Sequence, residues 1–224
     1  AIFLPMSVMM MMFMVIFMAA QPMLESVLEE KSQRIAEVLL GSANPFQLMS
    51  GKLLGTVGGS LTVFVIYMTG ALGIACWQGY LGQIPFHLAP WFVVFQITGV
   101  IFYSAIFMAI GASVSQLKEA QSMLLPVWML MISPMFVWLM VVRDPMGVMP
   151  TCFSFFPPAT PAVMMLRLAT GQAIPWWQPV MSIVMMTVST ILIVIVAARI
   201  FRVGILWQGK SPKLGEILKW AITG

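Results

Sequence analysis

Long apolar stretches alternate with short polar ones along the whole chain. Five of the apolar stretches are about 20 residues long, the length that an α-helix needs to cross a bilayer. The pattern therefore predicts an all-α, polytopic membrane protein that forms a single transmembrane domain over residues 1–224. The predicted spans cover about residues 1–20, 54–76, 91–113, 122–142 and 180–198.

The most polar segment is the loop between the first two spans, residues 21–52. It holds seven of the 18 charged residues of the chain, whereas residues 1–24 and 53–117 hold none. Ions are costly to place in lipid, so a charge cluster between two apolar segments must lie in water. The chain is therefore predicted to leave the membrane at this loop and to return after it.

Apolar residues recur at helical spacing within this loop, which predicts an amphipathic helix. The apolar positions are Leu24, Val27, Leu28, Ile35, Val38 and Leu39. Glu30 and Arg34 stand four residues apart and Arg34 and Glu37 three apart, spacings at which opposite charges stabilise a helix. Gly41 is placed to end this helix and Pro45 to begin the next one. We therefore expect a helix on the membrane surface, followed by an elbow.

A second unusual segment, residues 143–178, separates the last two spans. Thr160-Pro161 is typical of a helix N-cap and first turn, and Gly171 of a helix stop. The implied helix of about ten residues would be about 15 Å long, too short to span a bilayer. It is predicted to lie in the membrane interface or to enter the membrane and return.

The positions of Lys and Arg predict the orientation of the chain. Nine of them lie in the loop 21–52, the link 114–121 and the tail 199–224, against two in the segments 77–90 and 143–178. The positive-inside rule then places the loop and the tail in the cytoplasm, and the protein in the plasma membrane, the inner membrane of a bacterium. The first visible span would start outside, so we expect a further span upstream and read Ala1 as a truncation or processing point.

Composition supports the membrane class and excludes others. The chain is 61% hydrophobic and 8% charged, with a mean hydropathy of +0.99, against about 25% charged residues in soluble domains. The net charge of +4 is explained by the positive-inside rule, so nucleic acid is not expected as a partner. The lipid bilayer is the partner that the composition predicts.

Cysteine, histidine and methionine do not predict a metal site. Cys76, Cys152 and the single His87 lack metal-ligand spacing. Both cysteines fall near the predicted outer side, and the sequence does not decide whether they form a disulfide with each other. The thioethers of the 23 methionines could in principle bind copper(I), but no Cys or His accompanies them. We interpret them as flexible apolar filler of the spans.

Catalytic motifs are missing from the sequence. There is no H-E-x-x-H, and Gly111-Ala-Ser113-Val-Ser115 lacks the second glycine of G-x-S-x-G. Ser50-Gly51-Lys52 resembles the end of a P-loop, but Leu53 replaces its Ser/Thr and the first glycine is absent. The spans carry no ionisable groups for an intramembrane enzyme. We therefore expect no catalytic residue, no metal and no cofactor in this chain.

Two segments carry a resemblance to a known family. Residues 29–52, EEKSQRIAEVLLGSANPFQLMSGK, resemble the cytoplasmic loop of ABC-2-type transporter permeases, especially the sodium-efflux-like branch. Residues 156–161, FPPATP, which lead into Met-Met-Leu-Arg167, resemble the extracellular segment before the last span of that branch. The order of spans matches the family from its second span to its sixth. The family's first span and extracellular domain are not in this sequence.

The resemblance implies a permease subunit of an ATP-driven exporter. Two permease copies would form the pore, and two separate cytosolic P-loop ATPase subunits would bind ATP and Mg²⁺. The loop helix would be the coupling helix that docks on the ATPase. The candidate residues of this interface are Glu29, Glu30, Lys31, Arg34 and Glu37 as its polar rim, with Ile35, Val38 and Leu39. The alternative is a solvated helix that its own charge pairs stabilise.

Three further polar residues are candidates for a substrate path. Gln96 and Tyr103 lie seven apart on one face of the third span, where they would line a path or form interhelical hydrogen bonds. Arg167 would sit at an exit or extend its side chain to the outer interface. The substrate itself is not readable: lipids, drugs, peptides and sodium ions all stay open. The competing function is a non-transporting membrane scaffold, assembly or regulatory subunit.

Overall fold

The computed structural model describes residues 3–33, 44–77, 79 and 86–205, and within these ranges the chain is helical with no strand. Seven α-helices and one short 3₁₀ turn, Phe86–Leu88, follow one another. The α-helices are α1 Phe3–Ser32, α2 Pro45–Trp77, α3 Ala89–Ser113, α4 Leu117–Arg143, α5 Val148–Phe155, α6 Thr160–Ala169 and α7 Trp177–Gly204.

Five of these helices are long and apolar enough to cross a membrane: α1, α2, α3, α4 and α7. The predicted all-α polytopic fold is confirmed, and each predicted span lies on one of the five helices. The helices are longer than the predicted spans because polar residues at their ends continue the helix beyond the apolar stretch.

The first span does not end where it was predicted to end. α1 runs past the predicted limit at about residue 20, continues through Pro22 and reaches Ser32 without interruption. Met23, Leu24 and Val27 beyond the proline are all buried, so tertiary packing outweighs the hydrogen bond that a proline removes. The first part of the predicted surface helix is therefore a continuation of the first span. The rest of that helix, residues 34–43, lies outside the described residues.

Helix α3 is the centre of the bundle. It packs most extensively against α1 and α7, and its buried side includes Phe95, Tyr103 and Phe107. Glycines allow these close contacts: a Cβ on Gly99 would lie 2.8 Å from Cδ1 of Ile16. Contacts of Gly99 with Ile16 and of Gly111 with Leu24 show that α1 and α3 run parallel, and the contact of Gly204 with Ala112 brings the ends of α3 and α7 together.

Helix α2 lies at the periphery, in contrast to α3. Only 17% of its most apolar stretch is buried, against 61% for α3. Small residues often permit close helix packing in membranes, but a Cβ built on any of the glycines of α2 meets no atom within 4 Å. They do not serve packing within the described part of this chain. These glycines are Gly51, Gly55, Gly58, Gly59, Gly70 and Gly73.

The segment before the last span folds into a helical hairpin of α5 and α6. The ten-residue helix α6 was predicted, whereas α5 was not. Gly171 has a φ of +75° just after α6, as expected of a helix stop. Thr160 was predicted as the N-cap, but its hydroxyl instead donates to the carbonyl of Phe156 at 2.8 Å, and Ala159 holds the cap position.

The hairpin enters the bundle instead of lying flat on it. Nine of the ten residues of α6 are buried. The carbonyl of Pro158 at its tip accepts a hydrogen bond of 2.7 Å from the Tyr103 hydroxyl, and Pro161 packs against Gly99. Gly99 lies ten residues after the start of α3, which corresponds to about 15 Å along that helix. Of the two predicted alternatives, the structure favours the re-entrant one.

Candidate functional site

The candidate site is the end of the bundle where the charged residues collect. The C-terminal ends of α1, α3 and α7 meet there with the N-terminal ends of α2 and α4, and we call this region the charged end. Residues 29–31 close α1, and Lys52 lies in the third turn of α2. The two described parts of the predicted coupling loop, at the end of α1 and the start of α2, both lie in this region.

An ion pair joins α1 to α2 at the charged end. The ammonium of Lys52 lies 2.6 Å from the carboxylate of Glu30 and donates to the hydroxyl of Ser26 at 2.8 Å. The side chains of Lys52 and Glu30 are 15% and 23% exposed, so water screens this pair less than a fully exposed one. Glu30 was predicted for the rim of a partner interface, but its carboxylate contacts α2 of the same chain.

Lys31 points into the bundle. Its ammonium donates to the carbonyl of Ala112 at 2.6 Å and to that of Gly204 at 2.8 Å. These carbonyls lie in the last turns of α3 and α7, where helical hydrogen bonding leaves carbonyls without partners and the helix dipole is negative. The carboxylate of Glu119, at the start of α4, also interacts electrostatically with Lys31. Lys31 was predicted for the polar rim of the partner interface, but its ammonium contacts helix ends of the same chain, and a contact with a partner stays a prediction.

Six predicted interface residues remain, and the structure describes one of them, Glu29. Glu29 is exposed, and its carboxylate accepts a hydrogen bond of 3.1 Å from the amide of Gln33 one turn later. It stays available at the surface as a rim residue. Arg34, Ile35, Glu37, Val38 and Leu39 lie outside the described residues.

Gln96 and Tyr103, the candidates for a substrate path, are buried on α3 with exposures of 0% and 2%. Tyr103 makes the contact with Pro158 described above, which matches the interhelical alternative. The amide oxygen and nitrogen of Gln96 have no hydrogen-bond partner among the described residues. A role of either residue in a substrate path stays a prediction.

Arg167 lies inside the hairpin and is fully buried. Its guanidinium donates to the carbonyl of Pro145 at 2.8 Å, to the hydroxyl of Ser154 at 2.6 Å and to the amide oxygen of Gln178 at 2.6 Å. All three acceptors are neutral, and burial lowers the pKa of Arg167 from its ordinary value. An arginine nonetheless stays charged in a protein. The guanidinium contacts described here lie within the chain, and the two predicted roles of Arg167, at an exit or with its side chain extended to the outer interface, stay predictions.

Cysteine and metal chemistry are not visible in the described ranges. Cys76 and Cys152 are both free and exposed. No group of three or more His, Cys, Asp or Glu side chains that could hold a metal occurs within residues 3–33, 44–77, 79 and 86–205.

The sequence pointed to the charged residues but not to the residues that they contact. Lys52 was seen as part of the charged loop but not as the partner of Glu30. Its position as the last charge before 65 uncharged residues, 53–117, was the available signal. Ser154 and Gln178 were likewise polar residues in apolar surroundings, which is where a buried arginine finds acceptors.

Comparison with known proteins agrees with this architecture. A protein from Methanocaldococcus jannaschii, named uncharacterized protein MJ1024, is 26% identical over 216 residues that cover 96% of this chain and 53% of that protein. The uncharacterized protein YhaP of Bacillus subtilis is 28% identical over 217 residues, covering 92% of this chain and 51% of that protein. The chain thus spans about half the length of these curated relatives. No solved structure matches it.

The sequence model of the ABC-2 family transporter proteins matches residues 1–199, nearly the whole chain. The predicted resemblance is confirmed, and the chain belongs to the ABC-2 family of transporter membrane proteins.

Proposed function

We propose that this chain is part of the permease of an ATP-driven exporter and that its charged end docks a separate P-loop ATPase. The observation that carries the proposal is the double attachment of the charged loop. Glu30 and Lys52 hold its two sides together, and Lys31 joins it to the ends of α3 and α7. A loop that receives force from a partner needs such anchors, because an unanchored loop would move without moving the spans.

Energy for transport would come from the partner, and the absence of a complete P-loop from this sequence agrees with that proposal. ATP and Mg²⁺ would bind to that partner. The nine-to-two distribution of Lys and Arg supports a cytoplasmic position of the charged end in the plasma membrane, which in a bacterium is the inner membrane. A second permease copy would complete the pore.

The ATPase would shift the permease between inward-open and outward-open states. Reversing such an equilibrium from 1:99 to 99:1 takes about 5.5 kcal/mol of differential binding, a magnitude that nucleotide-driven closure of a partner can supply. The surface that contacts the ATPase would be formed by Glu29 together with Arg34, Ile35, Glu37, Val38 and Leu39. Glu30 and Lys31 would hold that surface in place.

The proposal is tested by copurification of the full-length permease from solubilised native membranes. We expect a P-loop ATPase to copurify with the wild-type protein, and the double variant Glu29→Lys/Glu37→Lys to lose it through charge reversal at the rim. Glu25→Lys is the matched control, because Glu25 is also an exposed acidic residue of α1 but lies one turn before Glu29, outside the predicted rim.

Two results would count against the proposal. A wild-type permease without any copurifying ATPase would favour the scaffold or regulatory subunit instead. Retention of the ATPase by the double variant at the wild-type level would remove the rim from the interface.

A further inference from the structure

Helix backbones approach closely near the charged end. A Cβ on Gly204 at the end of α7 would lie 2.8 Å from the carbonyl oxygen of Ala112 on α3. A Cβ on Gly111 would lie 3.0 Å from the carbonyl oxygen of Leu24 on α1. These glycines allow the end of α3 to pack closely against the end of α7 and against α1 about two turns before the end of α1.

Lys31 spans this junction with a single ammonium group. It binds one carbonyl from the last turn of α3 and one from the last turn of α7. Each carbonyl belongs to the negative end of a helix dipole, so both bonds are charge-assisted. A displacement of the end of α1 would therefore act on both helices through one side chain.

The three last charged residues of α1 contact three different surroundings. Glu29 is exposed, Glu30 pairs with Lys52 of α2, and Lys31 binds the ends of α3 and α7. The end of α1 thus joins the loop to three helices, α2, α3 and α7.

Helix α3 extends the connection towards the hairpin. Tyr103 lies nine residues before Ala112, about 14 Å along a continuous helix, and donates to Pro158 at the hairpin tip. A rigid helix transmits a shift of its end over this distance without a further joint. The same helix carries Gln96, whose buried amide lacks a partner among the described residues.

We infer that Lys31 is a positioning residue that transmits movement of the charged loop to α3 and α7, and through α3 to the re-entrant hairpin. The inference rests on the proposed function, because the movement would originate in the docked ATPase. It assigns to Lys31 a role that contact with the ATPase does not explain.

The experiment uses native Cys152 as a reporter on the hairpin. Cys152 is exposed on α5, which packs against α6, and Cys76→Ser removes the other thiol. The permease–ATPase complex is reconstituted in proteoliposomes, and the rate of Cys152 modification by a membrane-impermeant maleimide is measured without nucleotide and after trapping with Mg-ATP and vanadate.

We expect the rate in the wild-type complex to differ between the two states. Lys31→Met should reduce this difference about fivefold or more, within the usual range of allosteric coupling, while the ATPase still copurifies. Lys31→Arg should restore it, because a guanidinium can also donate to two carbonyls. Lys118→Met is the control, since Lys118 is an exposed lysine at the same end of the bundle.

A second variant tests the junction without touching Lys31. Gly204→Ala would push the end of α7 away from Ala112, and we expect the same loss of the nucleotide-dependent difference. A full difference in both Lys31→Met and Gly204→Ala would overturn the inference. So would a wild-type complex that assembles but shows no nucleotide-dependent rate. Loss of the ATPase from the wild-type preparation would instead overturn the proposed function.

Discussion

The charged end and the hairpin both depend on cationic side chains, but these are bound differently in the two regions. At the charged end, Lys52 pairs with a carboxylate and Lys31 binds helix-terminal carbonyls, both in partly exposed positions. In the hairpin, Arg167 is fully buried and contacts neutral acceptors. The contacts of the charged end thus join separate long helices, whereas those of Arg167 hold the hairpin together internally and to the start of α7.

The largest expected effect comes from the hairpin. Arg167→Lys keeps a buried charge but loses the planar fork that reaches Pro145, Ser154 and Gln178. We expect it to lower the free energy of unfolding by about 3 kcal/mol, since each buried group left without a partner costs about 1–3 kcal/mol. Thermal unfolding of the detergent-solubilised permease measures this effect.

The exposed Arg143 supplies the control for that variant. Arg143→Lys should change the free energy of unfolding by less than about 0.5 kcal/mol, as surface substitutions usually do. Equal effects of the two substitutions would show that the buried hydrogen bonds of Arg167 do not set the stability of the hairpin.

A smaller effect is expected where the hairpin meets α3. Tyr103→Phe removes the hydroxyl that donates to the partly buried carbonyl of Pro158, and we expect a cost of about 1–2 kcal/mol. The same thermal unfolding assay applies. Tyr67→Phe is the matched control because Tyr67 is exposed on α2, and a cost as large there would contradict the assignment.

The smallest effect is expected at the charged end. A double-mutant cycle with Glu30→Gln and Lys52→Gln should give a coupling energy of about 1 kcal/mol or less, the upper range for partly exposed ion pairs. The coupling should fall as salt is raised, because ions in solution screen it. A coupling energy as large as the effect of Arg167→Lys, or one that does not change with salt, would show that the contacts of the charged end are not weaker or more screened than those of the hairpin.

Some features of the fold were predictable because their causes are local. Helix α6 was placed from Thr160-Pro161 and Gly171, residues that set helix limits within a turn or two. The limit of α1 was misplaced for the opposite reason. The local effect of Pro22 was outweighed by the burial of Leu24 and Val27 against a helix far along the chain.

The candidate site was predictable as a location but not as an arrangement. The sequence placed the charges of residues 25–52 in water between two spans, and Glu29 fits that expectation. Helical spacing paired Glu30 with Arg34, because spacing reveals only neighbours on one helix. The contact of Glu30 with Lys52 joins residues of two different helices.

By itself the sequence determined the membrane class, the five spans and the family, since apolar length and local motifs specify these. Only the tertiary structure decided where Lys31 and Arg167 point. A side chain that is charged must find acceptors wherever it is buried. Those acceptors are carbonyls of Ala112 and Gly204 for Lys31 and the polar groups of Ser154 and Gln178 for Arg167. They come from separate helices, and packing alone brings them together.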